Sequence, residues 1–212
     1  KMYSVTRRRE TIFGKYIFKY HPQYKGVELF YDRTNDLNIE GGDILVLNKE
    51  TLIVGVSERT HPAAIEKLAK NLFFNSTTSY KRVLAFAIPK FRTFMHLDTV
   101  FTQVDYDKFT IHKDCYYKLK IYELTPNPEL NGKLITTELD DILENVLEKY
   151  LGKPITLIPC GGNDSVSADR EQWSDGSNTI AIAPGEVIAY ERNDITNEVL
   201  KQYGIMVNLM TL

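Results

Sequence analysis

Cysteine is scarce in this chain, and the two that occur, Cys115 and Cys160, lie far apart in the sequence. Two such residues are too few for a disulfide framework, and neither belongs to a Cys-x-x-Cys pair. The four histidines share no metal-ligand spacing with the cysteines, so we expect no metal site. This composition favours a reduced, cytoplasmic protein.

Long apolar runs and an excess of one charge are also missing. No stretch approaches the ~20 apolar residues of a membrane span, and we expect no signal peptide. Lys and Arg total 26 against 28 Asp and Glu, a net charge of −2, which argues against the basic stripe of a nucleic-acid binder. We therefore expect neither a membrane nor a nucleic acid as partner. No linker interrupts the 212 residues, so we predict a single domain over 1–212.

The apolar segments recur in units of strand, strand, helix and strand. The first unit has strands at 44–47, 51–56 and 82–88. Its helix follows Thr60 as the N-cap, has Pro62 in the first turn, and presents one apolar face formed by Ile65, Leu68, Ala69 and Leu72. The second unit has strands at 97–104, 108–111 and 155–159, an irregular insertion at 125–132 and a helix over 138–151. The third has strands at 178–183, 186–190 and 205–209 and a helix over 195–203. Residues 1–37 resemble the helix and closing strand of a fourth unit.

Each complete unit opens with polar residues, at Glu40–Asp43, His96–Asp98 and Gln172–Asn178. Polar openings that recur at one structural position imply that the unit ends converge on a common centre. A ring of ββαβ units around an axis satisfies that requirement, with the function located where the units meet. The sequence therefore predicts an α/β fold of repeated ββαβ units.

The residues at these openings indicate acid–base chemistry. His96 and Asp98 have strand spacing, so both side chains are expected on the same face of a strand. Glu40 and Asp43 flank a Gly-Gly pair that permits a sharp turn. Three carboxylates and one imidazole suit hydrolysis of a cationic substrate. The simpler interpretations are a Gly-Gly turn between ordinary loop acids and a histidine satisfied at a strand end.

Arginines and cysteines complete the candidate set. Arg59 follows a strand that leaves the core towards the centre, where it could clamp a carboxylate with two parallel hydrogen bonds. Arg7 begins a helix near the start of the chain. A nucleophile is harder to find, because Cys115 has no basic partner in the sequence. Cys160 follows a strand and precedes Gly161, so it is either a reactive thiol or a small buried residue.

At this point the residues resemble a known family. The chain is similar over essentially its whole length to bacterial arginine deiminases, in order and spacing, at the segments Glu40–Asp43, Gly55–Thr60, Met95–Thr102 and Arg170–Asn178. The His-x-Asp pair alone suggests only the wider guanidino-modifying superfamily, whereas Gly55–Thr60 and Arg170–Asn178 are much more specific. The resemblance implies a partial, five-fold pseudosymmetric α/β-propeller of the pentein type. It also implies a hydrolase of arginine catabolism that converts L-arginine and water into L-citrulline and ammonia.

The resemblance also implies roles for individual residues. His96 would be the general acid and base, while Glu40 and Asp98 would hydrogen-bond the guanidinium. The predicted substrate-binding residues are Arg7 and Arg59, which would grip the α-carboxylate, and Asp43. A cysteine thiolate would attack the guanidinium carbon and form a covalent thiouronium intermediate, with no metal or organic cofactor required.

The chain departs from the family in three parts that it lacks, which are the amino-terminal part, the inserted helical bundle and the nucleophile segment. The family's nucleophile lies near the carboxyl terminus in a Cys-Met-x-x-Pro type motif, which Cys115 and Cys160 do not match. We therefore expect a carboxyl-terminal portion of the enzyme, incomplete at both ends and inactive alone. The alternatives are an inactive arginine-binding or regulatory fragment, an amidinotransferase or an agmatine deiminase, although Arg59 disfavours agmatine, which has no carboxylate. Free L-arginine is the expected ligand, and the open strand edges of an incomplete ring favour a homo-oligomer.

Overall fold

A computed structural model describes residues 1–75, 77–89, 94–116 and 119–211 of the chain. The strands are β1 (Ile44–Asn48), β2 (Thr51–Val56), β3 (Arg82–Ala87), β4 (Phe101–Gln103), β5 (Lys108–Ile111), β6 (Lys120–Pro126), β7 (Leu134–Leu139), β8 (Thr156–Pro159), β9 (Ile180–Ala183), β10 (Glu186–Tyr190) and β11 (Met206–Met210). The α-helices are α1 (Thr11–Tyr20), α2 (Pro62–Phe74), α3 (Lys113–Tyr116), α4 (Leu143–Leu151), α5 (Ser165–Trp173) and α6 (Asp194–Gln202). None of the helices in the described ranges is both long enough and apolar enough to cross a membrane.

Three modules share one topology. In each module two strands pair antiparallel, a helix follows, and the last strand returns parallel to the second. The three modules are β1-β2-α2-β3, β4-β5-α4-β8 and β9-β10-α6-β11. The predicted ββαβ repeat and the α/β class are therefore confirmed. The predicted apolar face of α2 is also confirmed, since its four residues are buried.

The irregular segment predicted at 125–132 is confirmed over 127–132, which is the loop of a hairpin whose strands β6 and β7 the sequence did not predict. β6 pairs with β3 and β7 pairs with β6, so the hairpin extends the sheet of the first module in the order β1-β2-β3-β6-β7. Only the connection around Asn127 is irregular, where the Asn127 side chain accepts hydrogen bonds from two backbone N–H groups. The following helix begins at Leu143 rather than at Glu138, because residues up to Leu139 are paired in β7.

The closing strand predicted within 1–37 is also wrong. Every residue in this range is described, and it contains a 3-10 turn at Thr6–Glu10 and then α1, with no strand before Ile44. Local side-chain bonds occupy the backbone instead. The Thr34 N–H donates to Asp32 Oδ1 at 2.7 Å, and the Tyr31 hydroxyl donates to the Leu37 carbonyl at 3.0 Å. Such bonds favour turns over pairing with a neighbouring strand.

Two apolar clusters cover the two faces of the first sheet. One cluster joins that sheet to the second module, where the rings of Phe86, Phe101 and Phe109 are buried with centroids 5.1–5.8 Å apart. The other lies between the sheet and α2. Because side chains alternate along β2, Ile53 belongs to the first cluster and Val54 to the second. This packing holds the polar openings of the first two modules side by side.

Candidate active site

The first two modules each open with a short 3-10 turn, at Gly41–Asp43 before β1 and at Leu97–Thr99 before β4. The strand predicted over 97–104 is therefore wrong at its start, and the strand-spacing argument for His96 and Asp98 fails with it. The cause is local, because the Thr99 hydroxyl and N–H both donate to the His96 carbonyl, at 2.6 and 3.3 Å. The turn replaces the extended backbone that the spacing requires.

The turn nevertheless brings His96 and Asp98 to one place, against the backbone of Gly42. A β-carbon added at Gly42 would lie 2.9 Å from both Asp98 Oδ2 and His96 Cγ. Glycine is therefore required here by the space that these two side chains occupy. The two polar openings predicted from the sequence meet at this contact.

Glu40 is buried and holds a network of donors. Its Oε1 accepts the Tyr3 N–H at 2.8 Å, and its Oε2 lies 2.9 Å from His96 Nε2 and 3.7 Å from Arg59 Nη1. Burial opposes ionisation of this carboxyl, but the two hydrogen bonds and the neighbouring positive charge outweigh it and hold its pKa below the usual value. Glu40 is thus an anion facing His96 and a guanidinium.

Asp98 contributes an unpaired hydrogen-bond acceptor. Its Oδ1 is buried and has no hydrogen-bond partner among the described residues. Burial raises the pKa of Asp98 to about 6, with the charges of Asp43 and Asp175 acting in the same direction and His96 opposing them. A cation that donates hydrogen bonds would relieve both the unfilled acceptor and the repulsion.

Asp43 ties the two turns together. Its carboxylate is fully buried and accepts the hydroxyls of Ser57 at 2.7 Å and Thr60 at 2.6 Å, and the Leu97 N–H at 2.8 Å. Burial outweighs these bonds and raises its pKa. These contacts hold the turn before β1 against the turn before β4. Direct substrate binding by Asp43 stays a prediction.

Sequence reasoning missed the two hydroxyl partners of Asp43. Ser57 and Thr60 lie on either side of Arg59 in the sequence, just after a strand ends. Two hydroxyl residues three positions apart at the end of a strand are the sequence signal that could have identified them. Thr60 was instead predicted to cap α2, a position that the structure gives to His61. The Thr60 hydroxyl also accepts the Glu40 N–H at 3.2 Å, so one side chain connects both acids.

The two predicted carboxylate-binding arginines lie in different settings. Arg59 is at the site, with Nη1 near Glu40 and Nη2 3.2 Å from Met95 Sδ. Arg7 is exposed and donates to the Glu10 carboxylate at 3.1–3.2 Å, which raises its pKa. The hydrogen bonds of the Arg7 side chain in the described structure go to Glu10. Binding of a carboxylate by Arg7 therefore stays a prediction.

A cavity of about 600 Å³ opens beside Asp98. Gly42, Leu97 and Thr102 line it next to the acid, and residues of β1, β4 and β9 and the segment Val104–Tyr106 line the rest. Two carboxylates, those of Asp98 and Asp105, among mainly apolar walls suit a ligand with an aliphatic stem and a charged head.

Both cysteines are buried away from this network. Cys160 Sγ lies 3.5 Å from Thr196 Oγ1, and burial raises the pKa of its thiol despite hydrogen bonds to Ser177 and Thr196. Cys115 belongs to the apolar cluster around the Phe109 ring. A buried thiol with a raised pKa is a poor nucleophile, so the interpretation of Cys160 as a small buried residue agrees with its surroundings.

The chain as a whole matches one family. A family model described as "Arginine deiminase" matches residues 1–211. The chain belongs to the arginine deiminase family. It is 54% identical over 211 residues to the arginine deiminase of Clostridium perfringens. The aligned region covers 99% of this chain and 51% of that protein. It is 54% identical over 209 residues to the arginine deiminase of Treponema denticola, covering 98% of this chain and 51% of that protein. The chain thus spans about half the length of the curated relatives it matches.

Solved structures support the fold of this arginine deiminase family member. ArgZ, an arginine dihydrolase from cyanobacteria, superposes with a TM-score of 0.64 at 18% identity, over 100% of this chain and 26% of that one. A DDAH from Pseudomonas aeruginosa, solved with citrulline, gives a TM-score of 0.59 at 18% identity, over 99% of this chain and 62% of that one. At such identities the likeness concerns the α/β pentein fold.

Proposed function

We propose that the protein containing this chain is an arginine deiminase, which hydrolyses L-arginine to L-citrulline and ammonia. The observation that carries the proposal is the pair of acids beside His96. Glu40 is ionised and already close to one guanidinium, that of Arg59, and Asp98 has an unfilled acceptor next to a cavity. Planar, bidentate pairing with two carboxylates favours a guanidinium over the point charge of an ammonium.

The reaction then needs one nucleophile and two proton transfers by His96. A cysteine thiolate adds to the guanidinium carbon, and protonated His96 gives its proton to the departing nitrogen, which leaves as ammonia. The product of this step is a thiouronium bound through sulfur. Neutral His96 then takes one proton from water as its oxygen adds to the same carbon. The adduct loses its remaining hydroxyl proton to solvent as the carbon–sulfur bond breaks, which releases citrulline and the thiolate. Arg59 would bind the α-carboxylate of arginine and leave Glu40 free for the substrate, with Arg7 as a second proposed contact.

We further propose that the nucleophile is neither Cys115 nor Cys160. Both thiols are buried, and burial raises the pKa of the Cys160 thiol. The nucleophile would come from the part of the protein outside these 212 residues, and the chain alone would be inactive.

The finer architecture is part of the same proposal. The repeated ββαβ topology supports a propeller with five-fold pseudosymmetry, to which these modules contribute. Exposed apolar side chains on β9 and β11, Ile180, Ile182, Met206 and Leu209 among them, support further packing partners in the complete protein. We propose a cytoplasmic homo-oligomer.

Substrate assays on the full-length protein test the function. We expect citrulline and ammonia from L-arginine, followed by mass spectrometry, and much slower turnover of agmatine, because agmatine offers Arg59 no carboxylate. Cys160→Ser should retain the activity. Binding of arginine in calorimetry without turnover would instead support a binding protein, faster turnover of agmatine would support an agmatine deiminase, and loss of activity in Cys160→Ser would contradict the assignment of the nucleophile.

A methyl group at Gly42 should damage the site specifically. In Gly42→Ala the new carbon meets Asp98 and His96 at 2.9 Å, so one or both must move. A displacement of about 1 Å costs on the order of 100-fold in rate, and we expect a loss of that size in kcat/KM. Gly41→Ala is the matched control, because a β-carbon there meets nothing within 4 Å. Equal kcat/KM values for the two variants would contradict the close approach.

A further inference from the structure

The segment Arg170–Asn178 is one of the two most family-specific stretches of the sequence, yet no side chain in it takes part in the reaction proposed above. Its most buried amide is that of Gln172, which is 2% exposed near the end of α5. Gln172 Nε2 donates to the Thr99 carbonyl at 2.6 Å, across 73 residues of sequence. Thr99 ends the turn that carries Asp98 and follows His96.

The backbone of this turn is held by side chains at each end. Asp43 accepts the Leu97 N–H, the Thr99 hydroxyl donates to the His96 carbonyl, and Gln172 donates to the Thr99 carbonyl. The first two bonds lie within the network already described. The third comes from a different module boundary, so it fixes the turn against a separate part of the fold.

Hydrogen bonds also fix the backbone around Gln172. The Thr110 hydroxyl of β5 donates to the Ser177 carbonyl at 3.1 Å, and the Asp175 N–H donates to the Gln172 carbonyl at 3.2 Å. Glu171, the preceding residue, is buried and accepts the N–H groups of Ile195 and Thr196 at the start of α6. Gln172 is therefore held on both sides in sequence.

Stability alone does not account for a glutamine at this position. Gln172 Oε1 is buried and has no hydrogen-bond partner among the described residues. A buried, unpaired carbonyl oxygen is unfavourable, whereas an apolar side chain of similar shape avoids that cost. What the glutamine offers over an apolar residue is the single bond to the Thr99 carbonyl.

We propose that Gln172 is a positioning residue of the reaction, whose amide holds the Thr99 carbonyl and thereby the orientation of His96 and Asp98 towards the substrate guanidinium. The inference rests on the proposed function for its kinetic consequence. Its structural consequence, the fixed orientation of the His96 ring, is independent of which substrate is turned over.

The first test compares two variants of the full-length protein. Gln172→Met keeps the length of the side chain and removes the donor. Asn197→Leu is the matched control, because Asn197 is also buried, donates to a backbone carbonyl (Tyr190, 3.0 Å) and has an unpaired Oδ1, but it lies in α6. We expect kcat for L-arginine to fall about 10- to 100-fold in Gln172→Met, with a much smaller change in KM, and to stay near wild type in Asn197→Leu. A kcat in Gln172→Met equal to that of the control would overturn the proposal.

A second variant tests the donor itself. In Gln172→Glu a protonated carboxyl can donate to the Thr99 carbonyl, whereas the ionised form cannot. Burial raises the pKa of a carboxyl, so we expect activity above that of Gln172→Met at acid pH and an added loss as the pH rises. A pH profile parallel to that of the wild type would contradict the role of the donor.

A third measurement separates this inference from the proposed function. If the wild-type protein forms no citrulline, the proposed function fails, and the His96 ring signals in NMR then decide the inference. We expect these signals to shift in Gln172→Met and to remain in place in Asn197→Leu. Unchanged His96 signals in both variants would overturn the positioning role.

Discussion

Replacing His96 by asparagine is expected to lower kcat/KM for L-arginine by about 10²- to 10⁴-fold in the full-length protein, the range that a general acid–base group contributes. The asparagine side chain donates hydrogen bonds but carries no transferable proton. Both the departure of ammonia and the activation of water lose their catalyst, so we expect the loss mainly in kcat. Citrulline formation over a range of arginine concentrations separates kcat from KM.

The matched control is His21→Asn. His21 is exposed and its Nδ1 accepts the Gln23 N–H, a bond that an asparagine oxygen can also accept. We expect wild-type kinetics from this variant. If His96→Asn keeps a kcat within tenfold of the control, His96 is not the acid–base group.

Replacing Asp98 by asparagine should produce a large loss with a distinct pH signature. Because a carboxyl with a pKa of about 6 is ionised above that pH and neutral below it, wild-type kcat/KM should fall as the pH drops through 6. Asp98→Asn removes the charge at all pH values, so the decrease in kcat/KM below about pH 6 should vanish. Leaving the guanidinium without this partner should lower kcat/KM by about 10²- to 10³-fold, the effect of breaking a buried charge pair.

The same substitution should raise stability above pH 6. The pKa of Asp98 is raised in the folded state, so the folded protein binds its proton more tightly than the unfolded chain does. Stability from this group is therefore present at low pH and is lost as the pH rises from the unfolded pKa, about 4, through 6. Asp98→Asn should unfold at a higher denaturant concentration than wild type at pH 8, with little difference at pH 3.5.

Asp164→Asn is the control for the pH profile of activity. Asp164 caps α5 by accepting the Ser167 N–H at 2.7 Å, which an asparagine side chain can also do. In this variant kcat/KM should still decrease below about pH 6. If the same decrease persists in Asp98→Asn, a group other than Asp98 titrates there.

The repeat of three ββαβ modules is predictable from the sequence because each element has its own local signal. The apolar residues of α2 recur with helical spacing, and β2 is a mainly apolar run bounded by turn residues. These signals do not depend on residues far away in the sequence. They also bring Glu40 and His96 to module openings, where they meet.

The turn at Leu97–Thr99 could not be predicted in the same way. Apolar and polar residues alternate through this segment as they do in a strand, and the outcome depends on the Thr99 hydroxyl binding the His96 carbonyl. The long-range part of the site is also invisible in the sequence. Which oxygen of Asp43 accepts the Leu97 N–H, and that Asp98 Oδ1 has no partner in the described structure, follow from packing between turns more than 50 residues apart.

A crystal structure of full-length His96→Asn with L-arginine would show which groups bind the guanidinium. We expect the guanidinium nitrogens of the ligand to lie within hydrogen-bond distance of the Glu40 and Asp98 carboxylates, with Oδ1 of Asp98 now paired. We also expect Arg59 to have left Glu40 for the α-carboxylate. A guanidinium bound elsewhere, with Arg59 still beside Glu40 and Asp98 unpaired, would contradict this binding mode.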